Sequence, residues 1–282
     1  MNFETKREVL EWYERQPRTL NDQFLASIPW DEVRNYEIPP NLVPVLLYMR
    51  DVETLTDMYY RELRRTPTGR DPVISKFMER WGTEELTHGE VLNRFLHEAG
   101  VEVGESWQAQ VQHTVTAFYT VYAYLLSAFT NLVGSKFTAT HMTFGAIHEM
   151  TTAQGYRRLD EMANHPVLST ILKAIIREES AHTQFYWSVA RLELQQSEFA
   201  QKVARFAIQY FWNPVGQGSK PREQTEYTVS TLFSGEGGIE KLDTTITKRV
   251  QQLPGFDGFT RITERISEIC SESLKQMQSA EA

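Results

Sequence analysis

Apolar residues recur at helical spacing along much of the chain. The clearest run predicts a long helix over about residues 41–65, with apolar positions at Leu42, Val45, Leu46, Met49, Val52 and Leu55. An amphipathic helix is predicted over residues 3–15. Ile28-Pro29-Trp30 then opens a connecting stretch that ends at Pro39-Pro40. The pattern therefore predicts an all-α fold.

Capping signals mark the later helices. Asp71-Pro72 is an N-cap followed by proline at the first helical position, and it predicts a helix from there to about Ala99. An uncharged helix is expected over 106–132. Further helices are predicted over 135–163, 166–195 and 197–211, with His165-Pro166 as the break between the first two.

The last third of the chain differs in amino-acid composition. Residues 213–223 and 234–238 are rich in Gly, Pro and polar residues and are predicted to be loops. Helices are expected over 239–252 and 258–276. We expect one domain over residues 1–282, with a core over about 36–211 and a loop-rich helical extension over about 212–282.

Charge and composition exclude several classes of function. With 41% hydrophobic residues, the 282-residue chain can bury a sizeable core, and its net charge of −8 argues against a nucleic-acid partner. A lone cysteine, Cys270, excludes an internal disulfide and a built-in iron–sulfur cluster, so required electrons must come from another protein. No signal peptide is evident, and Gln and His residues interrupt the uncharged stretch, so we expect a cytoplasmic protein without a transmembrane segment.

Two Glu-x-x-His pairs are the candidate chemistry. Glu85 with His88, and Glu179 with His182, each place a carboxylate and an imidazole on one helix face, one turn apart. Such a pair can share a metal ion. The alternative is that both are ordinary solvated Glu–His pairs on helix surfaces.

Each pair is preceded by a lone glutamate on an earlier helix. Glu53 lies 32 residues before Glu85, and Glu149 lies 30 residues before Glu179. Ferritin-like di-iron and di-manganese bundles have this arrangement, with one Glu from each of two helices and Glu-x-x-His from each of the other two. The predicted fold is therefore a ferritin-like helical bundle with a di-iron carboxylate site in a four-helix core.

The ligand chemistry favours iron or manganese. Four carboxylates and two ferrous ions nearly cancel in charge, so the assembled site tolerates burial. Imidazole with carboxylate suits these metals, and the shortage of Cys argues against structural zinc. Two Glu can bridge the ions while the others cap the ends, which leaves positions for O2. Glu84 and Glu178, four residues before each His, are either outer acceptors for the His N–H groups or ion-pair partners.

These residues resemble a known family, the soluble di-iron acyl-ACP (acyl-carrier-protein) desaturases. Trp81-x-x-Glu84-Glu85-x-x-His88-Gly89 followed by Val91-Leu92-Asn93 is similar to that family's first metal helix, and Glu178-Glu179-x-x-His182 is similar to its second. Glu53 with Tyr59, and His148-Glu149-Met150-Thr151-Thr152, fit its two lone-Glu helices. The resemblance covers roughly residues 36–195.

The resemblance implies an activity and its partners. It implies O2-dependent insertion of a cis double bond into a saturated acyl chain on acyl carrier protein, two iron ions per chain, a ferredoxin-like electron donor and a homodimer. It also places Thr152 beside the iron pair, where it would assist proton delivery or serve as an ordinary core hydroxyl.

Departures from the family leave alternatives open. Plant members carry Lys-Arg where this chain has Ser180-Ala181. The acyl donor is therefore carrier protein, coenzyme A or another carrier, and the carrier-binding residues are unknown. Lys173, Arg177, Arg157 and Arg158 are a candidate basic patch. A di-iron hydroxylase or oxygenase would use the same ligands, and an iron-storage protein or a metal-free scaffold are non-enzymatic alternatives. A radical-storing reductase subunit is disfavoured because Leu92 stands where its tyrosine would be.

Overall fold

The computed structural model describes residues 2–113, 130–131 and 134–280. Within these ranges the secondary structure is helical, and the sole extended pairing is an isolated bridge between Gln217 and Lys220. The prediction of an all-α bundle is confirmed. No helix in the described part of the chain has the length and apolar character needed to cross a bilayer.

The N-terminal segment begins with two short helices. Helix α1 spans Lys6–Glu14, and the side chain of Thr5 caps it by accepting a hydrogen bond from the Glu8 amide. Helix α2 spans Asp22–Ser27. Two 3-10 turns, Trp30–Asn35 and Pro40–Leu42, then lead into the bundle.

The predicted helix over 41–65 is divided in two. Helix α3 spans Val43–Thr54 and α4 spans Thr56–Leu63, with the break at Leu55. There the hydrogen bonding tightens, because the Met58 amide bonds to the Leu55 carbonyl at 3.0 Å. The Leu55 side chain is buried in a small cluster with Trp107 and Val111. Tertiary packing therefore accompanies a break that no Pro or Gly marks in the sequence.

The long helices agree closely with the capping signals. Helix α5 spans Pro72–Glu98, and Asp71 caps it as predicted by accepting hydrogen bonds from the Val73 and Ile74 amides. After α6, Trp107–His113, most of the expected uncharged helix lies outside the described residues. A 3-10 turn precedes the next three helices, which are α7 Thr138–Ala163, α8 Pro166–Gln195 and α9 Glu198–Phe211.

The C-terminal extension folds back on the bundle. Its helices are α10 Arg222–Phe233, α11 Gly238–Leu242, α12 Lys248–Val250 and α13 Arg261–Ala280. The expected continuous helix over 239–252 contains a π-helical turn at Asp243–Thr247, and α10 packs against α3, α7 and α13.

Helices α3, α5, α7 and α8 form the core that carries the candidate site. They pack mainly as two pairs, α3 with α5 and α7 with α8, and α1 lies across α5 and α8. Gly89 on α5 allows a close approach, because a Cβ there would lie 2.9 Å from Thr54 Oγ1 and 3.3 Å from the Arg50 carbonyl on α3. This approach brings His88 and Glu53 to the same level of the bundle.

Candidate metal centre

The six predicted ligand side chains meet in the middle of the four-helix core. Helix α3 provides Glu53, α5 provides Glu85 and His88, α7 provides Glu149, and α8 provides Glu179 and His182. All six are buried. In each of two overlapping groups, the potential ligand atoms lie within 4.8 Å of one another. The two groups are Glu53, Glu85, His88 and Glu179, and Glu85, Glu149, Glu179 and His182.

Glu85 and Glu179 belong to both groups. His88 Nδ1 lies 3.3 Å from Glu179 Oε1 and 3.8 Å from Glu53 Oε2. His182 Nδ1 lies 3.0 Å from Glu85 Oε1. The arrangement therefore has two ends, Glu53 with His88 and Glu149 with His182, joined by two carboxylates that can bridge a pair of ions.

Each imidazole is held by a carboxylate from the other Glu-x-x-His helix. His88 Nε2 lies 3.0 Å from Glu178 Oε2, and His182 Nε2 lies 2.9 Å from Glu84 Oε2. The sequence places these acids one turn before the His of their own helix, but in the structure they pair across α5 and α8. We call this crossed pairing the reciprocal brace. It directs both Nδ1 atoms toward the cluster, as metal-binding imidazoles require.

The N-terminal segment supports both bracing carboxylates. Glu178 accepts hydrogen bonds from the backbone amides of Thr19, at 2.6 Å, and Leu20, at 2.9 Å. Glu84 accepts from the Tyr13 hydroxyl and from Arg80 Nε, the latter at 2.8 Å. These contacts could not be predicted from the sequence, because they depend on where the N-terminal segment docks.

Two aromatic side chains hold the lone glutamates. Trp81 Nε1 donates to Glu149 Oε1 at 3.0 Å, and the Tyr156 hydroxyl donates to Glu53 Oε1. Tyr156 was not predicted, although its helical spacing of seven from Glu149 places it on a similar side of α7. Each lone carboxylate thus keeps one oxygen for a protein donor and turns the other toward the cluster.

The unpaired atoms of the cluster fit a metal. Glu85 Oε1, His88 Nδ1, both oxygens of Glu179 and His182 Nδ1 are buried without a hydrogen-bond partner. Buried polar atoms are normally paired, and so many unpaired donors and acceptors around one point match the ligand atoms of a cation site. Oxygen and imidazole ligands in this ratio suit iron or manganese.

The protonation of the cluster shows how strongly it attracts positive charge. Burial and the neighbouring carboxylates raise the pKa of Glu85 well above its usual range. Burial lowers the pKa of an imidazole, but hydrogen bonds to the surrounding carboxylates outweigh it and raise the pKa of His88 well above normal. The pKa of His182 is also raised well above normal, by its electrostatic interaction with Tyr13 and by hydrogen bonds to carboxylates. Burial also opposes ionisation of Glu84, yet hydrogen bonds from His182, Tyr13 and Arg80 lower its pKa to about 2. Cations would compete with protons for these atoms.

A cavity of about 620 Å³ opens onto the cluster. Four of the predicted ligands line it, namely Glu53, Glu85, Glu149 and Glu179. Thr152 also lines it, and so does a loop that follows α9. The volume lies in the range of small-molecule sites, so the cavity is large enough to hold a small molecule beside the cluster.

The predicted basic residues do not all remain free. Lys173, Arg177 and Arg157 are exposed, whereas the Arg158 guanidinium bonds to Glu161 Oε2 at 2.6 Å and to the Leu232 carbonyl at 3.1 Å. Arg158 therefore packs the C-terminal extension onto α7. The basic patch remains a prediction for the other three.

Comparison with known proteins gives the family. The family model described as fatty acid desaturase matches residues 53–206, and no curated protein matches the chain. The match begins at Glu53, includes all six residues of the cluster and covers more than half of the chain. Together with the helical bundle and its buried Glu/His cluster, it establishes that the chain belongs to the fatty acid desaturase family of type 2, the acyl-ACP desaturase family.

Proposed function

We propose that this chain is an O2-dependent di-iron desaturase that introduces a cis double bond into a saturated acyl chain carried as a thioester, with acyl carrier protein as the carrier. One observation supports this most directly. Two overlapping groups of buried Glu and His ligand atoms share Glu85 and Glu179 and border a cavity large enough for a small-molecule substrate.

The six buried side chains would hold two ions. Glu53 and His88 would bind one ion, Glu149 and His182 the other, with Glu85 and Glu179 between them. When bound, a pair of iron ions would supply the four-electron reduction of O2 to two waters. Two of the electrons would come from a donor protein and two, with two hydrogens, from adjacent C–H bonds of the acyl chain, while solvent would provide the other two protons.

The chain's own residues orient the ligands and bury them. The reciprocal brace fixes each imidazole with Nε2 toward a carboxylate and Nδ1 toward the cluster. The bundle buries all six ligands, which keeps bulk water away from the ligand atoms. Thr152 lines the cavity together with four of these ligands, and we assign its hydroxyl the delivery of a proton.

The partners follow from the family and from composition. We propose a ferredoxin-like electron donor, because the single buried cysteine leaves no ligand set for an iron–sulfur cluster in this chain. The homodimer, the cytoplasmic location and the division into a core and a C-terminal extension stay predictions. Lys173, Arg177 and Arg157 are the candidates for contacting an acidic carrier protein.

A turnover experiment tests the proposal. The protein is loaded with ferrous iron, supplied with a ferredoxin and its reductase, exposed to O2 and given saturated acyl-ACP and acyl-CoA in parallel. Mass spectrometry should find a product that has lost two hydrogens, faster from the carrier-protein thioester. A product that has gained one oxygen would instead identify a hydroxylase, and iron far above two per chain without product would identify a storage protein.

A further inference from the structure

The cavity has one wall that the family match does not include. Residues Asn213–Gly218 follow α9 and all six line the cavity, although the match ends at residue 206. We call residues 213–220 the wall loop. It is a compact turn, in which the Lys220 and Ser219 amides both bond to the Gly216 carbonyl, at 2.8 and 3.1 Å.

The wall loop packs directly on the helix that carries Glu53. Gly216 has φ +88°, and a Cβ there would lie 2.2 Å from Tyr48 Oη and 2.8 Å from Val52 Cγ1 on α3. The Tyr48 hydroxyl also donates to the Val215 carbonyl at 2.5 Å. The position of the loop is therefore set relative to the cluster with little freedom.

A buried ion pair fixes the end of the loop. Lys220 Nζ lies 2.7 Å from Asp51 Oδ2, and both side chains are buried. The other oxygen of Asp51 binds Arg50, whose guanidinium also bonds to Asn93 Oδ1 at 2.9 Å and lies 4.6 Å above the ring of Trp107. Because a buried charge without its partner is strongly unfavourable, this network keeps Lys220 in place.

A second contact fixes the loop to α4. The Tyr59 hydroxyl and Ser219 Oγ lie 3.0 Å apart, and Tyr59 itself lines the cavity. The loop is thus attached on both sides of the break between α3 and α4, immediately after Glu53. Any shift of the loop would change the shape of the cavity beside the cluster.

We propose that the wall loop determines which acyl chain lengths the cavity accepts, with Val215 as the specificity-determining side chain and Lys220, through Asp51, as a positioning residue. The inference rests on the proposed function. Val215 is half-buried and lines the cavity, so the size of its side chain directly affects the space left for an acyl chain. In a hydrophobic pocket, one methylene changes discrimination about 10-fold or more.

The test compares chain-length profiles of variants of the full chain. Val215→Phe and Val215→Ala are offered a competing series of straight-chain saturated acyl thioesters, and kcat/KM is measured for each length. Val215→Phe should favour shorter acyl chains and Val215→Ala longer ones. In each variant the ratio of kcat/KM between the newly preferred length and the wild-type preferred length should change about tenfold. Val103→Phe is the matched control, because Val103 is half-buried but does not line the cavity.

Lys220→Met tests the positioning role. It should raise KM and broaden the length profile while leaving kcat for the preferred length and bound iron near wild type, and Lys220→Arg should restore the profile in part. Lys241→Met is its control, since Lys241 pairs with Glu161 at 2.6 Å on the surface. If Lys220→Met lost activity equally for all acyl chain lengths, the Lys220–Asp51 ion pair would have only a structural role, and its positioning role would be refuted.

Binding to the metal-free protein separates the two proposals. Calorimetric affinities of the same thioesters should show the shifted length preference in the Val215 variants, whatever reaction the enzyme performs. Normal desaturation with unchanged profiles in both Val215 variants would overturn the wall-loop inference alone. Length-selective binding without desaturation would overturn the proposed function and leave the inference standing.

Discussion

Glu178→Ala would remove one acceptor from three donors at once. The carboxylate lies 3.0 Å from His88 Nε2, 2.9 Å from the Leu20 amide and 2.6 Å from the Thr19 amide. A buried donor left unpaired costs about 1–3 kcal/mol. Thr19 is half-buried, so its amide can form a hydrogen bond to water instead. We therefore include the full cost only for the two donors on His88 and Leu20. The variant should lose about 2–6 kcal/mol of stability in the metal-free state.

The same change should weaken iron binding. Loss of the partner that orients a ligating imidazole lowers metal affinity about 10–100-fold, which a chelator competition measures. Glu178→Gln keeps a carbonyl oxygen for the two backbone amides, so it should retain most of the stability and still lose affinity. Unfolding in urea gives the stability difference for each variant.

Glu226→Ala is the matched control. Glu226 pairs with the exposed Arg222 at 2.6 Å, and surface pairs of this kind contribute little to stability because water screens them. If Glu178→Ala unfolded at the same urea concentration as this control and bound iron as tightly as wild type, the reasoning about the reciprocal brace would be refuted.

Three further predictions follow from individual residues. Glu179→Ala should reduce bound iron to well below one per chain and abolish turnover, because Glu179, like Glu85, belongs to both ligand groups. Glu53 belongs to one group, so Glu53→Ala should impair mainly one metal position. Metal analysis measures the bound iron, and circular dichroism should show unchanged helix content. Tyr13→Phe removes a hydroxyl that supports the brace and should lower iron affinity about tenfold, and equal affinity by chelator competition would disprove the effect. Gly216→Ala should destabilise the fold by about 1–3 kcal/mol, because φ at this position is +88° and the Tyr48 side chain occupies the space that a Cβ needs. Gly82→Ala is the control: Gly82 lies in the middle of α5 with open space around it, so this change should stabilise the fold by up to about 1 kcal/mol. The denaturant midpoint of each variant measures the effect.

Local rules made the helices and the grouping of the ligands predictable. A spacing of three on a helix fixes Glu85 beside His88 whatever surrounds them, and Asp71 with Pro72 marks a helix start through its own backbone amides. The four-helix arrangement followed from the repeated pattern of lone Glu and Glu-x-x-His. These features depend on residues close together in the sequence.

The remaining features depend on contacts between distant segments. The helix is interrupted at Leu55, which packs against the distant Trp107, and no local signal marks this position. The partners of Glu84 and Glu178 lie on another helix and on the N-terminal segment, so their choice depends on helix register and docking. The wall loop could be predicted as a loop from its Gly and Pro residues, but its place at the cavity could not.

The reciprocal brace makes the two halves of the bundle interdependent. Glu84 on α5 serves the imidazole of α8, and Glu178 on α8 serves the imidazole of α5, so neither half of the sequence repeat orients its own histidine. A fragment ending before α7 would therefore carry two ligand carboxylates and an imidazole without its support. Under the proposed function, an ion would meet its complete set of ligands only after both helix pairs, α3 with α5 and α7 with α8, have packed together.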